Sequence, residues 1–500
     1  MPGNEVRFLD TTFRDGSQSL WAMNMRGGMM EAVAADLDRC GLDVIEIPAN
    51  SINFKKMIRD LKEHPWDLMR AMAKAMPNTP KACMGGGLNL NPMGAPTPPE
   101  LGMRFWEIHR EIGSIDRVQI VCNTADQIER QFPTLMPYFQ GIGMTTACAL
   151  SYAVTPRHTD EHYAEKTKAL LPFKPDIIYL KDQGGLLTVD RLRTLLPVIL
   201  ANAGDIPVEI HSHCTTGLAP LVYMEALKLG VRTLHTGVPP LAEGPAQPSV
   251  LTTVRNAEHL GYSHNLDVKL LESISERLTA FARQDNMPLG QPSAYDAYQY
   301  VHQIPGGVIS NLKFQLAELR QAHRLDEVIA ECVIVQRELG YPVMITPFSQ
   351  YVATQSTINV VTGERYKIVT DEVIRLARGV YGKDSGYEHM DQNLRDRLLG
   401  SARAKELAEL DSSAAPLSVA KYREMYGGPG VSDEEFLLRV IMQGPGEIDA
   451  MRASGAPRQY YTSNTPLITL IDELQKYQGV RSVHIQRGKD SISLQKQLVN

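Results

Sequence analysis

Residues 208–236 read VEIHSHCTTGLAPLVYMEALKLGVRTLHT and alternate two short strand-like runs with one longer amphipathic stretch. Val208–His211 and Thr233–Thr236 have the length of buried strands, and Ala219–Leu229 spaces its apolar residues as a helix does. A strand, a helix and a second strand in this order predict a βαβ unit with parallel strands.

The same alternation extends over residues 1–265. Further strands are predicted at Val6–Leu9, Val44–Ile47, Val118–Val121, Thr145–Leu150 and Asp176–Leu180. Further helices are predicted at Met29–Cys40, Pro65–Met76, Asp160–Leu171 and Asp190–Asn202. So many βα units in one block favour a closed (β/α)8 TIM barrel of the α/β class. A doubly wound sheet is the alternative, but no G-x-G-x-x-G follows the first strand.

Helical patterning replaces the strand signal after about residue 265. Helices are predicted at Leu270–Gln284, Asn311–Arg320, Leu325–Leu339 and Asp371–Gly379. We therefore predict a barrel over residues 1–265, a mostly helical domain over 266–400, and a linker with a small subunit-contact region over 401–500. Linker composition occurs at 411–416 and 427–430, and the final SVHIQRGKDSISLQK predicts a hairpin that turns at Gly488.

Composition excludes several classes of protein. The 500 residues contain 51 Lys and Arg against 57 Asp and Glu, for a net charge of −6, so a nucleic-acid partner is not expected. No window approaches the roughly 18 apolar residues of a membrane span, and the N-terminus lacks a signal-peptide pattern, so we expect a cytoplasmic protein. The six cysteines are scattered without a CxxC pair, which indicates reduced core residues.

Two predicted strand ends carry charged side chains where barrel enzymes place catalytic groups. RFLDTTFRDGSQSL at 7–20 brings together Asp10, Arg14, Asp15 and Gln18. Taken alone, a helix cap with a salt-bridge partner would account for it equally well. DIIYLKDQGGLL at 176–187 places Lys181 at the end of an apolar strand, where a buried lysine must be neutralised, paired or modified, although a surface pair with the next aspartate is as consistent.

A third strand end carries two histidines. His211 and His213 lie two residues apart on one strand, so both side chains face the barrel mouth. Two imidazoles in this arrangement predict one edge of a metal site. A lysine ammonium has no lone pair to offer a metal, but a carbamylated lysine would be an oxygen ligand.

Four segments resemble, in this order, the carboxyltransferase domains of biotin-dependent enzymes. They are DTTFRDGSQSL (10–20), YLKDQGGLL (179–187), IHSHCTTG (210–217) and QIPGGVISN (303–311), and the similarity covers most of residues 5–390. The family includes pyruvate carboxylase, the oxaloacetate decarboxylase alpha subunit and the carboxyltransferase subunit of transcarboxylase. The resemblance implies a metal-holding barrel and a helical funnel that covers its mouth and helps the protein to form a homodimer or a higher oligomer.

The resemblance also implies roles for particular residues. The metal ligands would be Asp15, carbamylated Lys181, His211 and His213. Arg14 and Gln18 would contact substrate oxygens, and the Ser310 hydroxyl would shuttle a proton between biotin and the acceptor. Pyruvate carboxylases usually have Thr at that position. A mixed nitrogen and oxygen ligand set suits zinc, manganese and cobalt alike.

The sequence departs from the family where the acceptor binds. The stretch that reads LLRG in pyruvate-using members contains Gly85 instead of arginine, and the strand FRVFD aligns with residues 118–122, where Gln119 and Cys122 replace both charges. The WGGAT stretch is replaced by residues 49–53. We expect Gly85, Gln119 and Cys122 to contact the acceptor. We also expect the acceptor to be a ketone, an amide-like compound or a bulkier oxo acid, and not pyruvate, in either the carboxylation or the decarboxylation direction.

Biotin is carried on lysine in an Ala-Met-Lys-Met context, and this chain contains no such tetrapeptide. No glycine-rich ATP-binding region is visible either. The expected partners are therefore a biotin carboxyl carrier protein and a biotin carboxylase subunit, with a small molecule as the acceptor.

Two alternatives remain. A metal-dependent carbon–carbon lyase or aldolase of the hydroxymethylglutaryl-CoA lyase-like group would share the RDG strand and the histidine pair, but Lys181 and the IPGG segment favour a carboxyltransferase. A non-catalytic scaffold would not need to keep all four candidate ligands.

Overall fold

Eight parallel strands form a closed barrel in the computed structural model, with β1 paired to β8. The structure describes residues 4–461 except 93–95, 123–124, 346, 383–384, 414–416 and 429, and beyond these it describes 470, 474, 481–488 and 490–495. The strands are β1 (Arg7–Asp10), β2 (Val44–Glu46), β3 (Lys81–Met84), β4 (Arg117–Val121), β5 (Thr145–Ser151), β6 (Ile177–Asp182), β7 (Val208–Ser212) and β8 (Thr233–Thr236). The predicted (β/α)8 barrel is confirmed.

One of the eight strands, β3, was not predicted from the sequence. β3 reads Lys-Ala-Cys-Met and has no β-branched or aromatic residue, so it lacks the local preference that marks the other strands. It is a strand because its backbone pairs with β2 on one side and with β4 on the other. Tertiary pairing therefore decides its conformation.

Helices surround the barrel and follow its strands in sequence. They are α1 (Ser17–Trp21), α2 (Gly27–Leu37), α3 (Ser51–Lys56), α4 (Pro65–Ala75), α5 (Pro99–Ile112), α6 (Ala125–Gly141), α7 (Asp160–Leu170), α8 (Val189–Ala203), α9 (Ala219–Lys228), α10 (Val250–His259) and α11 (Val268–Gln284). Their apolar faces pack on the outward side chains of the strands and form one large core. All six cysteines are buried and unpaired.

A second apolar core lies in the helical region that follows. Its helices are α12 (Gln299–His302), α13 (Gly306–Glu318), α14 (Leu325–Glu338), α15 (Phe348–Thr362), α16 (Asp371–Ala377), α17 (Gln392–Leu399) and α18 (Ala402–Ser413). α18 packs on α16 through Leu407 and Ile374, and Asp411 pairs with Arg375 and Arg378. The helical unit therefore extends beyond residue 400, to α18.

The next helices return to the barrel. α19 (Val419–Tyr426), α20 (Asp433–Met442) and α21 (Gly446–Ala453) contribute apolar side chains, such as Phe436, to the barrel core. Trp66 Nε1 donates to the Glu434 carbonyl at 3.3 Å, and Arg104 Nε lies 2.7 Å from Asp433 Oδ2. The helices α19, α20 and α21, in a region predicted to be a linker and subunit contact, are therefore packed against the outside of the barrel in this chain.

The C-terminal hairpin agrees with the sequence prediction. β9 (Ser482–Arg487) and β10 (Asp490–Gln495) pair antiparallel, and Gly488 has a φ of 61° in the turn between them. Among the described residues, no helix combines the length and the apolar character needed to cross a bilayer.

A buried histidine on α5 makes the stability of the barrel depend on pH. The His109 ring packs against Phe54, Trp66 and Phe105, with ring centroids 4.8–5.7 Å apart, and its Nδ1 lies 2.8 Å from Ser114 Oγ. Burial lowers the pKa of His109 to about 3. The folded protein therefore holds this imidazole neutral among aromatic rings.

Replacing His109 with glutamine is expected to reduce the loss of stability in mild acid. In the unfolded chain the imidazole takes up a proton below its pKa of about 6.5. In the folded chain it stays neutral down to about pH 3. The free energy of unfolding therefore falls as the pH falls. At about pH 5 this difference amounts to about 2 kcal/mol. Urea unfolding at about pH 7.5 and pH 5 should show that much less change in His109→Gln, whereas the exposed control His323→Gln should match the wild type. Equal pH dependence in wild type and His109→Gln would contradict the prediction.

Candidate metal centre at the barrel mouth

The end of β1 delivers two charged side chains to the barrel mouth. The chain leaves β1 through a π-helical turn over Thr12–Gly16, and the Asp10 carboxylate accepts from the Thr12 N–H at 3.2 Å and from the Thr12 hydroxyl at 2.6 Å. A Cβ at Gly16 would lie 2.4 Å from the Leu241 carbonyl oxygen, so only glycine fits there. The turn holds Arg14 and Asp15 buried.

Asp15 meets both predicted histidines. Asp15 Oδ2 lies 3.3 Å from His211 Nε2, and Asp15 Oδ1 lies 3.7 Å from His213 Nε2. The two Nε2 atoms are 3.2 Å apart. All three side chains are buried, and one ligand atom from each lies within 4.8 Å of the others. The structure therefore brings together three of the four predicted ligands with lone-pair atoms facing one point.

Hydrogen bonds and charge prepare these groups to bind a cation. His213 Nδ1 lies 2.5 Å from the Pro245 carbonyl oxygen, which only accepts, so Nδ1 carries the hydrogen and Nε2 of the neutral ring keeps its lone pair. Burial, reinforced by Lys181, holds the pKa of His211 well below its usual range. Burial would raise the pKa of Asp15, but the charges of Arg14 and Lys181 outweigh it and hold that pKa well below its usual range. Two nitrogen ligands and one carboxylate are the donors that zinc-like ions take.

Lys181 completes the group from the end of β6. Its Nζ lies 3.7 Å from Asp15 Oδ2, and the side chain is only 6% exposed. Burial lowers the pKa of Lys181, while Asp15 opposes this shift and Arg14 adds to it. A lower pKa raises the fraction of neutral amine, which is the form that has a lone pair.

Arg14 and Gln18 lie beside this group. Arg14 Nη2 contacts Asp15 Oδ2 at 3.0 Å and Glu46 Oε1 at 2.7 Å, and Arg14 Nη1 donates to Gln18 Oε1 at 3.3 Å. The Arg14 Nε–H has no hydrogen-bond partner within the described part of the chain. The guanidinium is thus fixed by two carboxylates and lies next to the candidate ligand atoms.

The residues predicted to contact the acceptor fall into different places. The Gly85 N–H donates to the Gln119 carbonyl at 2.9 Å, and Gln119 is buried with an Oε1 that lacks a partner among the described residues. Cys122 is fully buried in the apolar core outside the barrel interior, with its Sγ 3.6 Å from the Ile120 carbonyl, so the structure does not bring it to the metal-binding group. The side chain of Ser310, on α13, lies outside the described residues.

Other residues at this site were not singled out from the sequence. Gln247 Nε2 lies 2.9 Å from His213 Nε2, and its Oε1 accepts from the Thr11 hydroxyl at 2.7 Å. Gln247 belongs to a loop without a charge pattern, and nothing in the sequence marks it. Glu46, by contrast, interrupts a strand that is otherwise apolar, and a charge inside a buried strand is a signal that could have been used.

Comparison with known proteins assigns the chain to a family. A model described as a conserved carboxylase domain matches residues 300–448. Over 385 residues the chain is 30% identical to the methylmalonyl-CoA carboxyltransferase 5S subunit of Propionibacterium freudenreichii subsp. shermanii, and the match covers 76% of this chain and 74% of that protein. The chain belongs to the carboxyltransferase family of biotin-dependent enzymes.

Further similarities agree with membership of the carboxyltransferase family. The chain is 35% identical over 381 residues to a pyruvate carboxylase subunit of Methanocaldococcus jannaschii, a match that covers 76% of this chain and 66% of that relative's length. The carboxyl transferase domain of Rhizobium etli pyruvate carboxylase has the same fold, with a TM-score of 0.75 at 22% identity, over 91% of this chain and 78% of that one. These comparisons favour a carboxyltransferase over the lyase alternative.

Proposed function

We propose that this chain moves CO2 between carboxybiotin and an enolisable small molecule, as the carboxyltransferase component of a multi-subunit biotin-dependent carboxylase. The observation that carries the proposal is the buried group of Asp15, His211 and His213, with Lys181 and Arg14 beside it. Enolate chemistry needs a place where negative charge on oxygen is stabilised away from water, and this group supplies it.

A divalent cation fits the residues present. Asp15, His211, His213 and carbamylated Lys181 would hold zinc, manganese or cobalt, because a mixed nitrogen and oxygen set suits all three ions. When bound, the ion would polarise the acceptor carbonyl and stabilise the charge that develops on its oxygen. The Asp15 carboxylate oxygens and the two Nε2 atoms lie 3.2–3.7 Å from one another, and a cation held by them would offset the cost of burying these acceptors together.

Lys181 is suited to carbamylation. Its buried amine has a lowered pKa, and the neutral amine attacks CO2 through its lone pair, loses a proton, and becomes an anionic carbamate. The product would replace an ammonium that repels a cation with an oxygen ligand that attracts one. In this proposal Lys181 therefore changes from a competitor of the metal into its fourth ligand.

The chain's own groups would then serve the reaction in separate ways. Arg14, held by Asp15 and Glu46, would stabilise negative charge on the enolate oxygen, and Gln18 would orient the acceptor through its amide. Ser310 would carry a proton between the acceptor carbon and biotin. The helical domain would keep water out, so that CO2 is captured before it escapes.

The acceptor would not be pyruvate. Arg14 and Arg117 are the arginines that approach the barrel interior within the described part of the chain, and both are paired. Arg117 donates to both carboxylate oxygens of Glu209, at 3.0 and 2.6 Å. With Gly85 where pyruvate-using members have arginine, no guanidinium is left for a bidentate contact with a small carboxylate. The neutral Gln119 amide fits a ketone, an amide-like compound or a bulkier oxo acid better.

Biotin and ATP-dependent carboxylation would come from partners. We propose that a biotin carboxyl carrier protein brings carboxybiotin to the barrel mouth and that a biotin carboxylase subunit charges it. The proposal rests on the subunit nature of the relatives named above. A homodimer or higher oligomer is proposed from the same family resemblance.

Metal content tests the proposed site. The purified chain is expected to contain about one divalent ion per molecule, and His213→Ala to contain less than about a tenth of that, because removing one of four ligands weakens binding steeply. Elemental analysis after exhaustive desalting measures both. His323→Ala is the control, since His323 is exposed and lies in the helical region that follows the barrel. Equal metal in wild type and His213→Ala would overturn the proposed centre.

A further inference from the structure

A chain of buried polar groups runs through the barrel interior to one candidate metal ligand. Arg117 on β4 reaches across to Glu209 on β7 with two hydrogen bonds, at 3.0 and 2.6 Å. Glu209 Oε2 lies 2.8 Å from His235 Nε2 on β8, and His235 Nδ1 lies 3.2 Å from His211 Nδ1. Arg117, Glu209 and His235 are each at most 5% exposed, so water does not replace any of these contacts.

The Glu209 carboxylate sets the direction of the hydrogen bonds from His235 and His211. An ionised Glu209 only accepts, so His235 Nε2 must carry the hydrogen, and in the neutral ring His235 Nδ1 then has the lone pair. His211 Nδ1 must therefore be the donor between the two rings. The remaining nitrogen, His211 Nε2, keeps its lone pair and lies 3.3 Å from Asp15 Oδ2.

Arg117 gives this arrangement its stability. A carboxylate buried without a partner would be driven to take up a proton or to reorient, and either change would remove the acceptor that His235 needs. The bidentate guanidinium fixes both the charge and the rotation of the Glu209 carboxylate. Because Arg117 and Glu209 stand on strands three positions apart around the barrel, the closed sheet itself sets their spacing.

We propose that Arg117, Glu209 and His235 are positioning residues that hold His211 in the tautomer and ring orientation needed to bind a divalent cation through Nε2. The proposal rests on the proposed function, in which His211 is a metal ligand. Ligating histidines commonly donate their second N–H to a fixed acceptor, and losing that acceptor typically costs about 10–100-fold in metal affinity. Here the acceptor is a second imidazole, which is itself oriented by a carboxylate and an arginine.

His235→Phe tests the proposal, because phenylalanine keeps a ring in the barrel interior and removes the acceptor. The dissociation constant for Co²⁺ is measured on the full chain by competition with a chelator at fixed bicarbonate. We expect it to rise about 10–100-fold in His235→Phe. Tyr179→Phe is the matched control, since the Tyr179 ring lies 5.3 Å from the His235 ring while its hydroxyl donates to Met84 Sδ, at 3.9 Å. This control is expected to keep the wild-type constant.

A second measurement reads the tautomer directly in metal-free protein. In nitrogen-15 spectra of histidine-labelled protein, His211 is expected to carry its hydrogen on Nδ1, with signals assigned by their loss in His211→Ala. His235→Phe is expected to show a mixture of tautomers. If His235→Phe does not fold, Glu209→Gln, which keeps the side-chain size, is expected to raise the Co²⁺ dissociation constant about 10-fold.

Two failures can be told apart. If His211→Ala binds Co²⁺ as the wild type does, the proposed metal centre is wrong. If His211→Ala loses Co²⁺ while His235→Phe and Glu209→Gln keep the wild-type constant and tautomer, the centre stands and the positioning role is overturned. A lower melting temperature with unchanged affinity would likewise mean that the three residues serve only the fold.

Discussion

Replacing Lys181 with alanine is expected to lower CO2 transfer to the acceptor by at least about 100-fold and to remove most of the bound metal. In the proposed centre the lysine carbamate supplies the fourth ligand and one negative charge, and alanine supplies neither. Lys181 Nζ is 3.7 Å from Asp15 Oδ2, so a group at this position is close enough to share a cation with the carboxylate. Lys181→Gln, which has a neutral amide oxygen, is expected to keep more metal than Lys181→Ala.

The measurement combines three signals on the complex with the carrier and the biotin carboxylase. They are labelled bicarbonate fixed into the acceptor, metal per chain, and the carbamate resonance after incubation with carbon-13 bicarbonate. Lys81→Ala is the control, because Lys81 is another buried lysine, at the opposite end of the barrel, where its Nζ donates to the Met76 carbonyl at 3.0 Å. We expect Lys81→Ala to melt at a lower temperature but to retain metal and transfer.

The outcomes have different meanings. If Lys181→Ala keeps both metal and transfer, Lys181 has no part in the centre. If it keeps metal and loses transfer, Lys181 acts as a cation on the substrate, and the carbamate proposal fails. A missing carbamate signal in an active wild type would have the same consequence for the carbamate.

Pyruvate is expected to be carboxylated at least about 30-fold less efficiently than the best acceptor of a panel. A carboxylate that lacks a bidentate arginine loses about 2–3 kcal/mol, which corresponds to roughly 30–150-fold. Arg117 cannot supply that contact because both of its terminal nitrogens bond to Glu209, and Gly85 has no side chain. The panel contains pyruvate, a longer 2-oxo acid, a simple ketone and a cyclic amide, and kcat/KM is measured in the complete complex.

The methyl ester of pyruvate is the matched control ligand. It keeps the carbon skeleton and the reactive methyl ketone but carries no charge, so it isolates the contribution of the carboxylate. We expect the ester to be at least as good an acceptor as pyruvate. Pyruvate turnover at the rate of an ordinary pyruvate carboxylase, with the ester markedly worse, would show that an unpaired cation does reach the acceptor.

The barrel was predictable because seven of its eight strands have strand-like sequences of their own. The exception, β3, has none, and its pairing with β2 and β4 makes it a strand. The sequence did not predict that the helices α19–α21 pack against the barrel and share its apolar core. Their contacts, such as Trp66 with the Glu434 carbonyl, join residues more than 350 positions apart, and such contacts leave no local pattern.

The candidate ligands could be chosen from the sequence because strand direction brings them together. His211 and His213 alternate on one strand, and Asp15 and Lys181 follow other strand ends, so a parallel barrel had to place all four at one mouth. Gln247 could not be chosen this way, since it reaches the histidines from a loop. Cys122 was chosen by alignment of a strand, and its side chain lies in the core.

The sequence by itself indicated the parallel barrel, the helical region after it and the candidate metal ligands, because these depend on local periodicity, on position along a strand and on motifs that resemble a known family. Only the tertiary structure decided which charged side chains are free to contact an acceptor. Arg117, Glu209 and His235 belong to three strands, and their pairing depends on the closure of the sheet, which sets the distance across the barrel. At that distance Arg117 is paired with Glu209, a pairing that the sequence alone does not reveal. The same network gives His211 a fixed hydrogen-bond partner in His235.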